Sequence, residues 1–426
     1  MFEFFRDAQN RNFIRLWLAQ LISQFGDRLN QMALIGLIAE RAPGSAYNLA
    51  KLLAFTIIPV FIIGPIAGVY VDRWDHRRTL FVCDILRGLL VLTIPFCFMN
   101  QESMVPIYIV VFLTFCFSRF YVPAKMSIIP ELVTERNLLM ANSLMTTTGM
   151  LAFVLGCALG GLLVDKLGAR GGFIGDAVTF VISGILIFSI PRDLKFQLNR
   201  RSLLEQGKEI LRIEKSFIAE IREGLVYLRR RREIRFVINM LFILLAAAGA
   251  TYVVIIVFVQ QSFQSVTKDL GILAVFLGVG LFIGAIVYGK WGRMMPWYKT
   301  IFLSLIGGGL MIVAFAVAVS QYPNLMFAAA LAFILGVSIG PVFIAANTIV
   351  HVVSDESMRG KVFSALEVVI HFAFLLAMLI SSRLSEVVPG GAILTGVGIL
   401  FALTGLIGLI RYKNGGDLAF LTKKMA

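Results

Sequence analysis

Twelve stretches of this sequence, most of them near twenty residues long, are apolar enough to sit in lipid. Charged or Pro/Gly-containing breaks separate them. A hydrocarbon core about 30 Å thick takes about 20 helical residues to cross. Inside it, a segment must satisfy its own backbone N–H and C=O groups, which leaves helices or closed barrels. The runs are 12–38, 48–71, 79–99, 104–124, 138–163, 172–191, 236–259, 270–289, 299–319, 324–350, 361–382 and 393–411. They are too long for barrel strands, so the expected fold class is all-α, a polytopic membrane protein with 12 transmembrane helices. Composition agrees: 58% of residues are hydrophobic and only 15% charged, against about 45–50% and about 25% in soluble domains. The first run is too long for a signal-peptide core and no small-residue cleavage site follows it cleanly, so it reads as a retained span.

The net charge of +14 raises nucleic acid as a partner, but the positions of the charges exclude it. With the N-terminus cytoplasmic, 31 of the 39 Lys and Arg fall in inner segments. Four belong to the second-to-third connection (Arg73, Arg77, Arg78, Arg87), two to the fourth-to-fifth (Lys125, Arg136) and thirteen to the central one. The outer loops hold six, Arg41, Lys51, Lys166, Arg170, Lys268 and Arg383, while Arg28 and Arg119 lie inside spans. This is the positive-inside pattern, and it sets both termini in the cytoplasm. The longest loop, 192–235, separates an N-terminal half (1–191) from a C-terminal half (236–426). Within it Ile218, Ile221, Leu225 and Leu228 make an apolar stripe beside charges, the pattern of a helix lying on the membrane surface.

The halves echo each other. "GVYVDRWDHRR" from Gly68 and "AIVYGKWGRMM" from Ala285 align at an offset of 217 residues, and near that offset Pro123 faces Pro341. Two pseudo-symmetric six-helix bundles from a duplicated unit follow. Four glycine pairs, Gly64/Gly68, Gly156/Gly160, Gly280/Gly284 and Gly336/Gly340, have the GxxxG spacing that lets helices approach closely. The four cysteines (Cys83, Cys97, Cys116, Cys157) lie in apolar runs without a CxxC pair, which reads as structural thiols rather than a metal site.

"GVYVDRWDHRRTL" resembles the signature of the major facilitator superfamily between spans two and three, with Gly68, Asp72, Arg73, Arg77 and Arg78 in its positions. "RFYVPAKMSIIPELVTERNLLMANSLM", "LGCALGGLL", "GGFIGDAVTFVISG" and "RGKVFSALE" narrow the likeness to a bacterial exporter branch. That branch holds macrolide-efflux and enterobactin-exporter proteins, with lysophospholipid transporters as relatives. The likeness runs along essentially the whole chain. It implies that the Asp-Arg loop latches the halves on the cytoplasmic side, Asp72 meeting the N-terminal dipole of span eleven. The arginines would pair with a carboxylate that Glu131 or Asp84 supplies. The second-half loop "GKWGRMM" lacks the aspartate and the paired arginines, so a latch there would be weaker.

Ionisable groups at bilayer depth cost roughly 2.5–3.5 kcal/mol each on insertion scales and normally face a bundle interior or a wet cavity. Five stand out: Asp27 and Arg28 in span one, Arg119 in span four, and Glu367 and His371 four apart on one face of span eleven. In span one, Gln20, Gln24, Asp27 and Gln31 follow spacings of four, three and four, a single stripe on a helix. The simplest reading is the wall of an aqueous cavity. The resemblance implies that spans one, four, seven and ten line it, which suits Arg119 and Asn347. Span seven adds little polarity beyond Asn239 and Thr251, so the cavity would be charged mainly on the N-terminal side. An amphipathic substrate with an ionic head fits that asymmetry. Asp27 is the leading carboxyl for binding a proton or a cationic substrate, with an orienting role or a structural ion pair to Arg28 or Arg119 as competing readings. Asn142 and Asp176 read first as helix-packing groups, and His351 as solvated.

The chain has no HExxH, GxSxG or P-loop and only three histidines, which argues against an enzyme and against any cofactor. The expected function is a secondary transporter of the bacterial inner membrane, exporting an amphipathic small molecule by alternating access with protons as the coupling ion. The alternative is a flippase-like carrier of lysophospholipid. Expected partners are the substrate, protons and membrane lipid, with the protein a monomer and no nucleic acid bound.

Overall fold

The computed structural model describes residues 4, 7, 10–71, 73–191, 232–292, 296–353 and 359–411, and no strand forms among them. In chain order the helices are α1 (Arg11–Arg41), α2 (Ala46–Ile62), α3 (Gly64–Val71) and α4 (His76–Thr93). They continue with α5 (Val105–Leu132), α6 (Glu135–Phe188), α7 (Arg232–Phe263) and α8 (Lys268–Trp291). The last four are α9 (Trp297–Gln321), α10 (Leu325–Val353), α11 (Arg359–Leu384) and α12 (Gly390–Arg411). A π-helical turn, Ile94–Phe98, extends α4. Nine described helices are long and apolar enough to cross a membrane, and α2 is a shorter apolar one.

Those elements carry the twelve expected spans. The second is divided between α2 and α3, and the fifth and sixth are fused in α6, which bends at Gly168. There φ is +70° and ψ 174°, a conformation open to glycine because it lacks a Cβ. The fourth span continues past its expected end at 124, since α5 carries Pro123 and Pro130 in its interior and stops at Leu132. The start of α4 is set by Asp75, whose side chain accepts a hydrogen bond from the Arg78 backbone N–H at 2.9 Å. At the other end of that span, Arg41 donates to the carbonyls of Phe98 and Met99 and so occupies acceptors the π-turn leaves open.

The helices form two compact units, Met1–Arg41 with Leu52–Phe217, and Ala42–Lys51 with Ile218–Ala426. Within the first, α1 lies along α6, α4 packs on α5 and α6, and α3 packs on α5. Within the second, α7 pairs with α11, α9 with α10 and α12, and α8 with α10. Counted as spans, six in each unit, the neighbours correspond, which agrees with the internal repeat. The segment Ala42–Lys51 groups with the second unit. There the Tyr47 ring has the Lys51 ammonium 4.8 Å and the Arg383 guanidinium 5.1 Å from its centroid.

Three of the four glycine pairs sit at close helix contacts. A Cβ on Gly280 or Gly284 of α8 would collide with the Phe333 or Val337 carbonyl of α10, and one on Gly336 or Gly340 with the Leu277 or Leu281 carbonyl. Gly156 and Gly160 of α6 lie against Arg28 of α1. The expected contact at Gly64/Gly68 is not seen among the described residues, none of which lies within 4 Å of a Cβ built on either glycine. Arg87, counted above with the second-to-third connection, is also relocated. It lies inside α4 at 3% exposure. The linker stripe from Ile218 to Leu228 falls outside the described residues.

Candidate functional site: a charged network in the first unit

The polar stripe of α1 meets a second set of polar groups brought by α4, α5 and α6. Gln20, buried at one end, donates to the hydroxyl of Tyr121 on α5, and Gln24 donates back to Gln20 Oε1 at 3.4 Å. One turn further, Asp27 Oδ1 lies 3.9 Å from Nη1 of Arg87, with the Asp27 side chain 42% exposed and that of Arg87 3%. Arg28 turns the other way, donating to Gln31 Oε1 at 2.9 Å and stacking 4.8 Å from the Phe153 ring. The stripe therefore has a single open carboxyl on a wall of amides that are already engaged.

Arg87 is the hub. Its Nη2 donates to Asp84 Oδ1 three residues earlier on α4. Asp84, 0% exposed, takes a second bond from Ser183 of α6 at 2.6 Å. The Arg87 guanidinium lies between two rings, 4.4 Å from Tyr121 and 4.3 Å from Phe180. Its Nη1 reaches Ser118 Oγ at 3.4 Å. A planar, weakly hydrated cation suits such a slot, where a desolvated cation–π contact contributes about 2 kcal/mol. Removing either member of a buried pair of this kind strands the other charge, at about 3–5 kcal/mol. Asp84 thus works as the fixed counter-ion of Arg87. Asp27, at the distance limit of an ion pair and with no hydrogen bond to the guanidinium, is the carboxylate left over.

Behind Asp27 stands Asp176 on α6, fully buried. The α1 backbone is close there, because a Cβ on Gly26 would lie 2.6 Å from Asp176 Oδ1. Asp176 sits at the α1–α6 contact. Neither of its oxygens has a hydrogen-bond partner.

With this geometry in place, the chain can be compared with known proteins. A family model described as Major Facilitator Superfamily matches residues 16–378. The chain belongs to the Major Facilitator Superfamily. It is similar to the MFS-type transporter YfiS of Bacillus subtilis, 25% identical over 425 residues and covering 97% of this chain and 96% of that one. It is also similar to macrolide efflux protein A of Streptococcus pyogenes, 25% identical over 66% of this chain and 67% of that one. Among solved structures, the nucleoside transporter NupG matches with a TM-score of 0.74 at 10% identity, covering 95% of this chain and 98% of that one. A bacterial homologue of the iron transporter ferroportin, in its inward-facing state, matches with a TM-score of 0.72 at 15% identity, with coverage of 95% and 99%. These structural likenesses establish the fold, and the family makes this chain a multi-pass membrane transporter rather than an enzyme.

Within the superfamily signature of this transporter, Arg77 and Arg78 make contacts other than those expected. Asp72 is outside the described residues. Arg73 is exposed. Arg77 donates to the carbonyls of Ile187, at 3.2 Å, and Phe188 and stacks on the Phe188 ring. It caps the end of α6, where the helix dipole favours a cation, instead of pairing with a carboxylate. Arg78 is 3.9 Å from Asp75. Glu131 accepts from Nδ1–H of His76 at 2.7 Å, and Asp84 is held by Arg87, so neither carboxylate serves Arg77 or Arg78.

The remaining site candidates of this MFS chain are dispersed. Arg119 is half-buried on α5, while the structure sets Arg87 beside Asp27 and Lys125 within its electrostatic reach. Glu367 is exposed on α11, and His371 Nδ1–H donates to the Glu367 backbone carbonyl at 2.8 Å, so the bond between them bypasses the carboxylate. In α7, Asn239 is exposed and Thr251 donates to the Ala247 carbonyl at 2.9 Å. Asn142 is exposed on α6. The side chains of Asn347 and His351 lie outside the described residues.

Proposed function

We propose that this superfamily member is a proton-coupled exporter of an amphipathic small molecule, working by alternating access in a bacterial inner membrane with both termini cytoplasmic. The observation that carries the reading is Asp27. It is a half-open carboxylate on an apolar span, beside a cation that already has its own counter-ion. Keeping such a group in lipid costs free energy, and a group of that kind normally serves an ion or substrate path. Efflux proteins among the relatives support the direction of transport. The stretch from Gly68 to Arg78 is retained as the cytoplasmic latch, and Gln24, Arg28, Gln31, Arg119, Asn347, Glu367 and His371 as further cavity candidates.

The test is transport in proteoliposomes with two probes, a lipophilic cation and a labelled lysophospholipid, each with and without a pH gradient. Export predicts gradient-driven movement of the cation. Lysophospholipid movement that persists without a gradient would support the flippase-like carrier instead. Asp27→Asn should abolish gradient-driven transport by the folded protein, and unchanged transport in that variant would remove Asp27 from the mechanism.

A further inference from the structure

Three carboxyls, Asp27, Asp84 and Asp176, gather around one buried guanidinium. Arg87 bonds Asp84 and lies 3.9 Å from Asp27. The charges acting on Asp176 are Asp27, Asp84 and Arg87. From α1 the Asn30 side chain faces it as a donor that falls short of full hydrogen-bond geometry, and Asn30 Oδ1 has no partner of its own. On its own helix, Thr179 donates to the Asp176 backbone carbonyl at 2.7 Å, and Ser183 donates to Asp84, so neither hydroxyl serves the Asp176 carboxyl. From α5, Tyr121 covers Arg87 and the Lys125 ammonium lies within electrostatic reach of Asp27 and Arg87. Among the described residues no group of three or more His, Cys, Asp or Glu is placed to hold a metal ion.

An ionised Asp176 would have the Asn30 side chain beside it but no cation of its own, with two other carboxylates competing for Arg87. The neutral acid avoids most of that cost. We propose that Asp176 carries the transported proton and that Asp27 is left to meet the cationic head of the substrate. This rests on the reading of the chain as a proton-coupled exporter and divides between two residues the role given to Asp27 above. The exchange balances. When a cation settles against Asp27, its positive charge offsets one of the carboxylates that oppose ionisation of Asp176. The O–H bond of Asp176 then breaks, the electron pair stays on the carboxylate, and the proton leaves to water. The cluster gains one cation and loses one proton, so its net charge is unchanged. Gly26 makes the coupling short-ranged, since without a side chain there the Asp176 carboxyl reaches the α1 backbone one residue from Asp27.

Infrared difference spectroscopy on purified full-length protein, titrated with pH and without substrate, tests this apart from transport. A buried carboxylic acid that is at most weakly hydrogen-bonded absorbs toward the high-frequency end of the carbonyl region. Wild type should show such a band, shifted by carbon-13 aspartate labelling and lost as pH rises. Asp176→Asn should remove it, and Asp27→Asn, which deletes a competing negative charge, should move its midpoint to lower pH. The proposal is overturned if labelled wild type shows no such titrating aspartic-acid band, if the band survives in Asp176→Asn, or if Asp27→Asn leaves the midpoint in place. Should Asp176→Asn fail to fold, the label and the Asp27→Asn shift still decide. A negative result here beside intact gradient-driven transport defeats only the division of roles, whereas transport without gradient dependence defeats the exporter reading.

Discussion

Arg87 concentrates the physics of the first unit in one side chain: two aromatic faces, one fixed carboxylate and one open carboxylate. Arg87→Ala should destabilise the protein by about 3–5 kcal/mol, read as a large drop in unfolding temperature in detergent. Arg87→Lys should fall between the two, keeping the charge but losing the planar fork that fills the slot. The double variant Asp84→Leu/Arg87→Met removes the pair together and should unfold near wild type while transport is lost. Wild-type transport by that variant would show that the network is only structural. By contrast, His76–Glu131 has a carboxylate 56% exposed, so Glu131→Ala should change stability by less than about 1 kcal/mol. The open carboxyl of this network was legible in the sequence, because Gln20, Gln24, Asp27 and Gln31 keep helical spacing on one segment. Arg87 was not, since it stands near the start of an apolar run and was assigned to the neighbouring basic loop. Its i,i+3 spacing from Asp84 inside that run was the available signal. Tyr121, Ser183 and Phe180 come from other helices, and their meeting is a product of tertiary packing that no local pattern encodes.

At the scale of the helix, glycine spacing has meaning only where a neighbour arrives. Gly280→Leu or Gly336→Leu should disrupt the α8–α10 contact, since each new side chain meets a partner backbone that cannot yield. Aggregation on size-exclusion chromatography is the expected outcome. Gly64→Leu, where no described residue lies within 4 Å of the new Cβ, should leave the elution profile unchanged, and equal damage from all three would contradict the packing described. Span number and type could be read from the sequence because hydrocarbon thickness fixes their length. Span edges could not always be: α5 runs through Pro130 to Leu132, held by its neighbours in spite of the proline. The Gly168 bend likewise replaces an expected loop between spans five and six by a single residue of positive φ.

For the whole molecule, thirty-one of thirty-nine basic residues were assigned to one side from sequence, and moving Arg87 into α4 leaves that imbalance nearly whole. A fluorescent reporter fused after Arg411 should therefore light up, and a phosphatase that works only outside the cytoplasm should stay inactive there. The reverse result would invert the topology. The first helix bears on how such a molecule is made. The amides and carboxyl lined up along α1 keep it out of the set of helices that hydropathy alone would commit to lipid. A ribosome delivering α1 by itself would offer the insertion machinery a weak candidate. Its integration then depends on α4, α5 and α6 arriving to shelter the polar face. Fragments ending after α1 should slip through to the far side or be degraded, while fragments that extend into the helices burying it should be retained.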